Sequence, residues 1–133
     1  MKIIIAGAGE VGFHLAKLLS FESHDITLID NKKSSLNIAE NKLDIKTIEG
    51  NAASISVLKD ADVVNSDLVV SLTTSETTNF TTCFLSKQLG AKRTIARISN
   101  TEFIKDCNEI DFDLIGIDEL ISPENLAAEE IKL

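Results

Sequence analysis

Apolar residues follow two different patterns along this chain, and the difference separates predicted strands from predicted helices. Short segments that are apolar throughout are typical of strands buried on both faces of a parallel sheet. Longer segments with apolar residues three or four positions apart are typical of helices that bury one face. The run Ile3–Ala6 shows the first pattern, and Val11, Leu15, Leu18 and Leu19 show the second directly after it. The chain therefore opens with a strand and a helix.

This order of strand and helix repeats to the end of the chain. The predicted strands are Ile3–Ala6, Asp25–Asp30, Ile45–Ile48, Asp67–Leu72, Arg93–Ile98 and Phe112–Asp118. The predicted helices after them are Val11–Leu19, a helix that carries Leu36 and Ile38, Ser54–Leu58, Glu76–Leu89, Thr101–Cys107 and Ser122–Leu133. Strands that alternate with helices predict an α/β fold. We expect a Rossmann-like, doubly wound parallel sheet of six strands in the order 3-2-1-4-5-6, with helices on both faces.

The length and the helix pattern also bear on domains and partners. The 133 residues are enough for one such domain, residues 1–133, and too few for two. The last helix reaches Leu133 without a stop signal, so we expect either that the protein continues or that this helix docks on another surface.

The apolar residues of the helix Glu76–Leu89 are Phe80, Phe84, Leu85 and Leu89. They cover more of its circumference than one sheet face needs, which favours a homo-oligomer, a dimer or a tetramer.

Three glycines follow the first strand in the spacing G-x-G-x-x-G, from Gly7 to Gly12. Gly7 allows a sharp turn, Gly9 lets the backbone approach a pyrophosphate, and Gly12 lets the following helix pack closely on the sheet. The N–H groups at the start of that helix have no partner within it, and its dipole favours an anion there. The motif therefore predicts a ligand with a nucleotide diphosphate.

An acid, Asp30, ends the second strand beside the glycine turn. Its carboxylate can accept hydrogen bonds from a ribose diol and would repel a 2′-phosphate, which favours NAD, ADP or ATP over NADP. Lys32 and Lys33 are nearby counter-charges that weaken this preference. The alternative role for Asp30 is an N-cap or turn acid for the next helix.

Polar residues also follow the third and fifth strands. The loop with Asn51 and Ala52 comes after the third strand, where an adenine ring would rest, although Asn after Gly is also ordinary turn chemistry. Arg97 lies at the end of the fifth strand among apolar residues. A guanidinium in such a place needs an anion, which is either a carboxylate of the protein or a phosphate of the ligand.

The fourth strand is the first one across the switch point of the sheet, so the residues after it face the predicted crevice. Thr73 and Thr74 are candidates for ligand contact there. The spacing from Thr73 to Glu76 also matches a capping box for the next helix. Both roles stay open for the two threonines, whereas capping is favoured for Glu76.

Charge and hydropathy exclude some classes of partner. The chain has 13 basic and 21 acidic residues, a net charge of −8. Residues 1–97 contain 11 of each, whereas residues 98–133 contain 2 basic and 10 acidic residues. Without basic clusters we expect no nucleic acid partner. No apolar run reaches the roughly 18 residues of a membrane span, so we expect a cytoplasmic chain without direct membrane insertion.

Residues that carry chemistry are few and scattered. Cys83, Cys107, His14 and His24 lie in different parts of the chain without metal-ligand spacing. We expect reduced thiols, with Cys83 in the core, and no metal site. No nucleophile is paired with a base, and we expect 133 residues to leave no room for a substrate domain, so the residues favour a binding module over an enzyme. The alternatives are a fragment of a nicotinamide-dependent dehydrogenase and an S-adenosylmethionine-dependent methyltransferase.

Seven segments together resemble the N-terminal nucleotide-binding domain of TrkA-type potassium-uptake regulators, also called the KTN or RCK domain. They are Met1–Gly12, Phe13–Ala16, Ile29–Asp30, Glu49–Ala52, Thr73–Asn79, Thr94–Arg97 and Ile121–Ala128. The resemblance covers essentially the whole chain. It implies a cytoplasmic regulatory domain that binds NAD(H), or ATP and ADP in relatives. It also implies a potassium-translocating membrane partner of the Trk type, which would hold the domain at the inner face of the membrane.

The resemblance also implies a role for each motif residue. Those implied to hold the pyrophosphate are Gly7, Ala8, Gly9, Glu10 and Val11. Those implied at other parts of the ligand are Asp30 at the adenosine ribose, Asn51 and Ala52 near adenine, and Thr73 and Thr74 beside the far half. Arg97 is implied at the phosphates or at a subunit contact. Glu10 stands where some relatives carry an arginine for a γ-phosphate, and Asn51 stands where an acid is common. The first departure favours NAD(H) over ATP.

Overall fold

Six parallel strands in the order 3-2-1-4-5-6 form the sheet, which confirms the predicted fold class. A computed structural model describes residues 1–99 and 109–123 of the chain. The strands are β1 Lys2–Ala6, β2 Asp25–Asp30, β3 Lys46–Glu49, β4 Leu68–Ser71, β5 Thr94–Arg97 and β6 Glu119–Ile121. The helices are α1 Glu10–Ser20, α2 Lys33–Lys42, α3 Ile55–Asp60 and α4 Glu76–Leu89. Short 3-10 helices span Val63–Asn65 and Phe112–Ile115.

The central strand β1 divides the core into two halves. Ile3 and Ile5 pack with apolar side chains of α1 and α2, whereas Ile4 and Ala6 pack with those of α3 and α4. All four are fully buried. Because neighbouring residues of a strand point to opposite faces, an unbroken apolar run means helices on both sides of the sheet.

The register of the strands brings their carboxyl ends to one edge. Ala6 is paired with Ile29 of β2 and with Ser71 of β4, and Ser71 is paired with Ala96 of β5. The residues that follow these pairs therefore meet at the same edge of the sheet. This alignment creates the cleft described below.

The predicted strand Phe112–Asp118 is wrong. Phe112–Ile115 form a 3-10 helix, Gly116 follows with a φ of +82°, and the strand begins only at Glu119. The apolar run was misleading because its side chains go to different places: Ile117 is buried, whereas Leu114 is 80% exposed. The predicted helices Thr101–Cys107 and that after Pro123 lie outside the described residues.

Asp67 forms hydrogen bonds at the edge of the sheet where the strands begin, opposite the carboxyl ends. Its carboxylate accepts a hydrogen bond from the backbone N–H of Lys2 at 2.8 Å and one from the Lys92 ammonium at 3.1 Å. The backbone bond, followed by the lysine, lowers the pKa of the Asp67 carboxyl. Its charged form therefore stabilises the folded state.

We expect this stabilisation to disappear in acid. A carboxyl with a lowered pKa in the folded state contributes stability above its unfolded pKa, and the contribution is lost as pH falls through the folded pKa. The parent chain should therefore exceed Asp67→Asn in free energy of unfolding at neutral pH, and the two values should converge as the pH falls through the lowered pKa of Asp67 in the folded state. Urea denaturation across this range checks the prediction. A difference that does not change with pH would mean that the charge is not what stabilises the edge.

Candidate functional site

A cleft of about 710 Å³ lies at the carboxyl edge of the sheet. All the predicted site residues except Ala8 line it: Gly7, Gly9, Glu10, Val11, Asp30, Asn51, Ala52, Thr73, Thr74 and Arg97. The glycine turn forms its floor between the ends of β2 and β4. Its position at the switch point of the sheet is the one at which doubly wound folds bind ligands.

The three glycines of the turn have different surroundings. A Cβ on Gly12 would lie 1.7 Å from the carbonyl oxygen of Gly7, so α1 approaches the turn as closely as a backbone can. Gly7 itself has a φ of +103° and lies against the backbone of Leu72. A Cβ on Gly9, in contrast, would have no atom of the described residues within 4 Å. Gly7 and Gly12 therefore serve the fold, and the backbone at Gly9 is open to the cleft.

The amino end of α1 presents donors at this opening. Gly9 is the N-cap residue and no side chain caps the helix. The first backbone bond of the helix runs from the N–H of Phe13 to the carbonyl of Gly9, at 2.9 Å. The N–H groups of Glu10, Val11 and Gly12 come before this bond and have no partner within the helix. Together with the helix dipole, they favour an anion at the mouth of the cleft.

Asp30 is already engaged by the protein backbone. One carboxylate oxygen accepts from the N–H of Ala8 and the other from the N–H of Lys32, both at 2.7 Å. The N-cap of α2 is Lys32, so the turn role of Asp30 is present and the capping role is not. Each carboxylate oxygen can accept more than one hydrogen bond, so a ribose hydroxyl can still be bound. Ala8 is buried and gives its N–H to this link.

The predicted capping box from Thr73 to Glu76 is wrong. Ser75 is the N-cap of α4, and its hydroxyl accepts from the N–H of Thr78 at 3.2 Å. Glu76 accepts instead from the N–H of Ser99. Thr73, Thr74 and Ser75 are all suitable caps by residue type, and the local sequence does not choose among them. Thr74 is exposed at the cleft.

Arg97 lies in the wall of the cleft without a carboxylate partner in residues 1–99 and 109–123. One of its terminal nitrogens donates to the carbonyl of Leu72 at 3.3 Å. Its Nε is buried and has no hydrogen-bond partner within the part of the chain that the structure describes. A guanidinium with an unused donor in such a place fits an anionic ligand group.

In the loop after β3, Asn51 forms an ordinary turn through its side-chain oxygen. Asn51 accepts from the N–H of Ala53 through its side-chain oxygen, at 2.9 Å. This leaves its NH2 group to donate to an acceptor on a base. Ala52 is 6% exposed and packs in the core beside the cleft.

Sequence reasoning missed Asn79, which is fully buried and bonded to the loop after β4. The spacing of Thr73–Asn79 drew attention to the segment but not to this side chain. The buried face of α4 is made of Asn79, Thr82, Cys83 and Ser86, so hydrophobic periodicity does not mark it, and the contact network alone reveals Asn79.

The described residues hold no cluster of side chains suited to a metal ion. No group of three His, Cys, Asp or Glu side chains among them can hold a metal ion. Cys83 is fully buried, and burial raises the pKa of its thiol to about 12, which makes it a poor nucleophile at neutral pH. Nor is any of their helices long and apolar enough to cross a membrane.

One known family of protein domains matches most of the chain. The sequence model of the TrkA-N domain matches residues 3–123. The chain belongs to the TrkA-N family.

Curated relatives of this TrkA-N chain carry the name of a potassium uptake system. The Trk system potassium uptake protein TrkA of Haemophilus influenzae is 42% identical over 98% of this chain and 29% of its own length. A TrkA homolog of Methanothermobacter thermautotrophicus is 38% identical over 96% of this chain and 57% of its own length. The chain thus spans about a third to three fifths of these relatives.

Solved structures share the fold at lower identity. The TrkA-N domain of inner membrane protein ybaL from Escherichia coli has a TM-score of 0.78 at 14% identity, over 92% of this chain and 87% of that one. The GsuK channel bound to NAD has a TM-score of 0.75 at 17% identity, over 90% and 21%. GsuK bound to ADP has a TM-score of 0.74 at 17% identity, over 91% and 31%. The likeness shows that this Rossmann-like fold occurs in proteins with bound adenine nucleotides.

Proposed function

We propose that this TrkA-N domain is a regulatory NAD(H)-binding domain of a potassium uptake system. One observation supports the ligand above all others: the backbone at Gly9 is open to the cleft at the uncapped amino end of α1. A pyrophosphate at this place would accept from the N–H groups of Glu10 and Val11 without a side chain in its way. Asp30 on one side and Arg97 on the other give the cleft groups for a sugar and for an anion.

NAD(H) is proposed rather than ATP, ADP or NADP. Glu10 is an exposed acid at the first position of α1, where it would oppose the extra charge of a terminal phosphate. The Asp30 carboxylate would oppose a 2′-phosphate in the same way. Lys32 lines the cleft beside it and is the residue that limits this second preference. The GsuK structures with NAD and with ADP support an adenine nucleotide without choosing between the two, so ATP and ADP are the alternative ligands.

The proposed partner is a potassium-translocating membrane protein of the Trk type, and the names of the curated relatives support it. The domain would work at the cytoplasmic face of the membrane. A ligand changes such a partner only if it binds two arrangements of the domain with different affinity. We propose that these arrangements involve two or four copies of the chain, with the outer side of α4 at the contact. Phe84, which is 43% exposed on this helix, favours that face.

The second candidate, a fragment of a dehydrogenase, makes a different prediction. It requires hydride transfer between NADH and a small carbonyl compound. The described residues offer no acid or base beside the far half of the cleft other than Arg97 and hydroxyls. We therefore propose a binding role, and turnover of NADH with any small carbonyl compound would favour the enzyme instead.

A ligand panel with Asp30 variants tests the proposal. NADH and NAD should raise the thermal midpoint of the parent chain more than NADP, ATP or S-adenosylmethionine do. Asp30→Ala removes acceptors for ribose hydroxyls, and charge-assisted bonds of about 1.5–3 kcal/mol each predict a loss of about 10- to 100-fold in NADH affinity. The variant also loses its bonds to Ala8 and Lys32, so its midpoint without ligand should fall. The measured quantity is therefore the shift that NADH causes in each variant.

Asp25→Ala is the matched control. Asp25 lies on the same strand as Asp30, at the opposite edge of the sheet, and pairs with Lys2 and Lys46. Its loss should leave the NADH shift unchanged. Equal NADH shifts in the parent and Asp30→Ala would remove Asp30 from the site, and a larger response to S-adenosylmethionine would favour a methyltransferase.

A further inference from the structure

We propose that Asn79 is the positioning residue for the half of the cleft that receives the non-adenosine end of a dinucleotide. This inference rests on the function proposed above. Asn79 lies in the first turns of α4, where it is fully buried. It has no direct opening to the cleft and acts through residues that do.

The side-chain amide of Asn79 uses all of its hydrogen-bonding groups. Its oxygen accepts from the Ser71 hydroxyl at 3.0 Å, from the N–H of Thr73 at 3.0 Å and from the Thr73 hydroxyl at 2.6 Å. Its NH2 group donates to the carbonyl of Thr73 at 3.0 Å and to the carbonyl of Arg97 at 3.1 Å. One side-chain amide therefore provides hydrogen-bond partners for backbone groups at the ends of two neighbouring strands.

These bonds join β4 and β5 just beyond the end of the ladder between them. The last ladder pair between them is Ser71 with Ala96, so the next residues have no ladder bond to hold them together. Asn79 takes over from the ladder and fixes the backbone of Thr73 relative to that of Arg97. Both of these residues line the cleft on the far side of the glycine turn.

The bonding pattern requires an asparagine. Two carbonyls face the nitrogen and three donors face the oxygen, so the orientation of the amide is determined. Aspartate of the same shape has no donor when ionised and would face two carbonyl oxygens. Serine and alanine are too short to reach both strands. A buried polar network that loses its central member leaves its partners without bonds, which disturbs their positions.

The adenosine side of the cleft makes none of these bonds. Asp30 is held by Ala8 and Lys32, and Asn51 is held by Ala53. Loss of the Asn79 amide should therefore weaken the binding of a dinucleotide and spare that of a ligand with the adenosine end alone. General destabilisation of the fold would not separate the two ligands in this way.

Calorimetric titration of Asn79→Ser with NADH and with ADP tests the inference. We expect NADH affinity to fall by about tenfold, and ADP affinity to change by less than about twofold. Leu85→Ala is the matched control, because Leu85 is a partly buried core residue of the same helix away from the strand ends. It should lower the thermal midpoint and leave the ratio of the two affinities as in the parent.

Three outcomes overturn the inference. Equal losses for NADH and ADP in Asn79→Ser would show that Asn79 only stabilises the fold, and unchanged affinity for both would show that it positions nothing. A parent chain that binds neither nucleotide would overturn the proposed function and this inference with it. The first two leave the proposed function intact, because the parent still binds.

A measurement on the parent chain covers the case in which Asn79→Ser does not fold. The side-chain NH2 group of Asn79 gives its own NMR signals, which report its two carbonyl partners. NADH should shift these signals, and ADP at the same occupancy should leave them in place. Signals that respond to neither ligand, or equally to both, would contradict the assignment.

Discussion

Replacing Gly12 with alanine is expected to destabilise the fold by more than about 3 kcal/mol, a large part of the roughly 5–15 kcal/mol that holds a domain of this size together. The new Cβ would lie 1.7 Å from the carbonyl oxygen and 2.8 Å from the carbonyl carbon of Gly7. Both are backbone atoms of a tight turn, so neither can rotate away. To relieve the contact, α1 must move off the sheet. That movement would loosen Leu15 and Leu19, which are buried against β1.

Denaturant unfolding followed by circular dichroism measures the effect of Gly12→Ala. Gly9→Ala is the matched control, since its Cβ meets no atom of the described residues within 4 Å and its φ of −70° suits any residue. The control should unfold at nearly the same denaturant concentration as the parent. If Gly12→Ala were as stable as Gly9→Ala, the close contact between α1 and the turn would not exist in solution.

Gly9→Ala should instead abolish most of the nucleotide binding. Its methyl group would occupy the open space at the amino end of α1, where the pyrophosphate is proposed to accept from backbone N–H groups. Charge-assisted hydrogen bonds contribute about 1.5–3 kcal/mol each, so the loss of one or two predicts NADH affinity about 100-fold weaker. The free energy of unfolding without ligand should stay within about 0.5 kcal/mol of the parent value.

Titration of the folded variant with NADH checks this second prediction. A change in NADH affinity can be assigned to the added methyl group, because the substitution removes no contact of the described residues. An affinity equal to that of the parent would mean that no phosphate approaches Gly9. The ligand would then have to bind elsewhere in the cleft or outside it.

The fold was predictable because its main signals are local. Ile3–Ala6 is apolar at every position, and a strand with helices on both faces buries such a run completely. The strand Phe112–Asp118 failed for the converse reason. Its apolar side chains have different surroundings: Phe112 contacts the ring of Phe80, Ile117 is buried, and Leu114 is exposed. The amino-acid sequence of this segment does not distinguish these surroundings.

The parts of the candidate site that depend on backbone geometry were predictable. The parts that depend on side-chain hydrogen bonds between distant segments were less so. Gly7 and Gly12 are required by close backbone contacts, which the glycine spacing indicates directly. The link from Asp30 to the N–H of Ala8 depends on the pairing of β1 with β2 and has no sequence signal of its own. The same is true of Asn79, whose partners come from two strands.

A titration of the isotope-labelled chain with NADH, followed by backbone amide NMR, tests the central claim most directly. That claim is that one dinucleotide lies across the glycine turn, between Asp30 and Arg97. We expect saturable shifts at Gly9, Glu10 and Val11, together with shifts at both sides of the cleft, and little change at the opposite edge around Asp67. The absence of saturable shifts, or shifts confined to residues outside the cleft, would contradict the account.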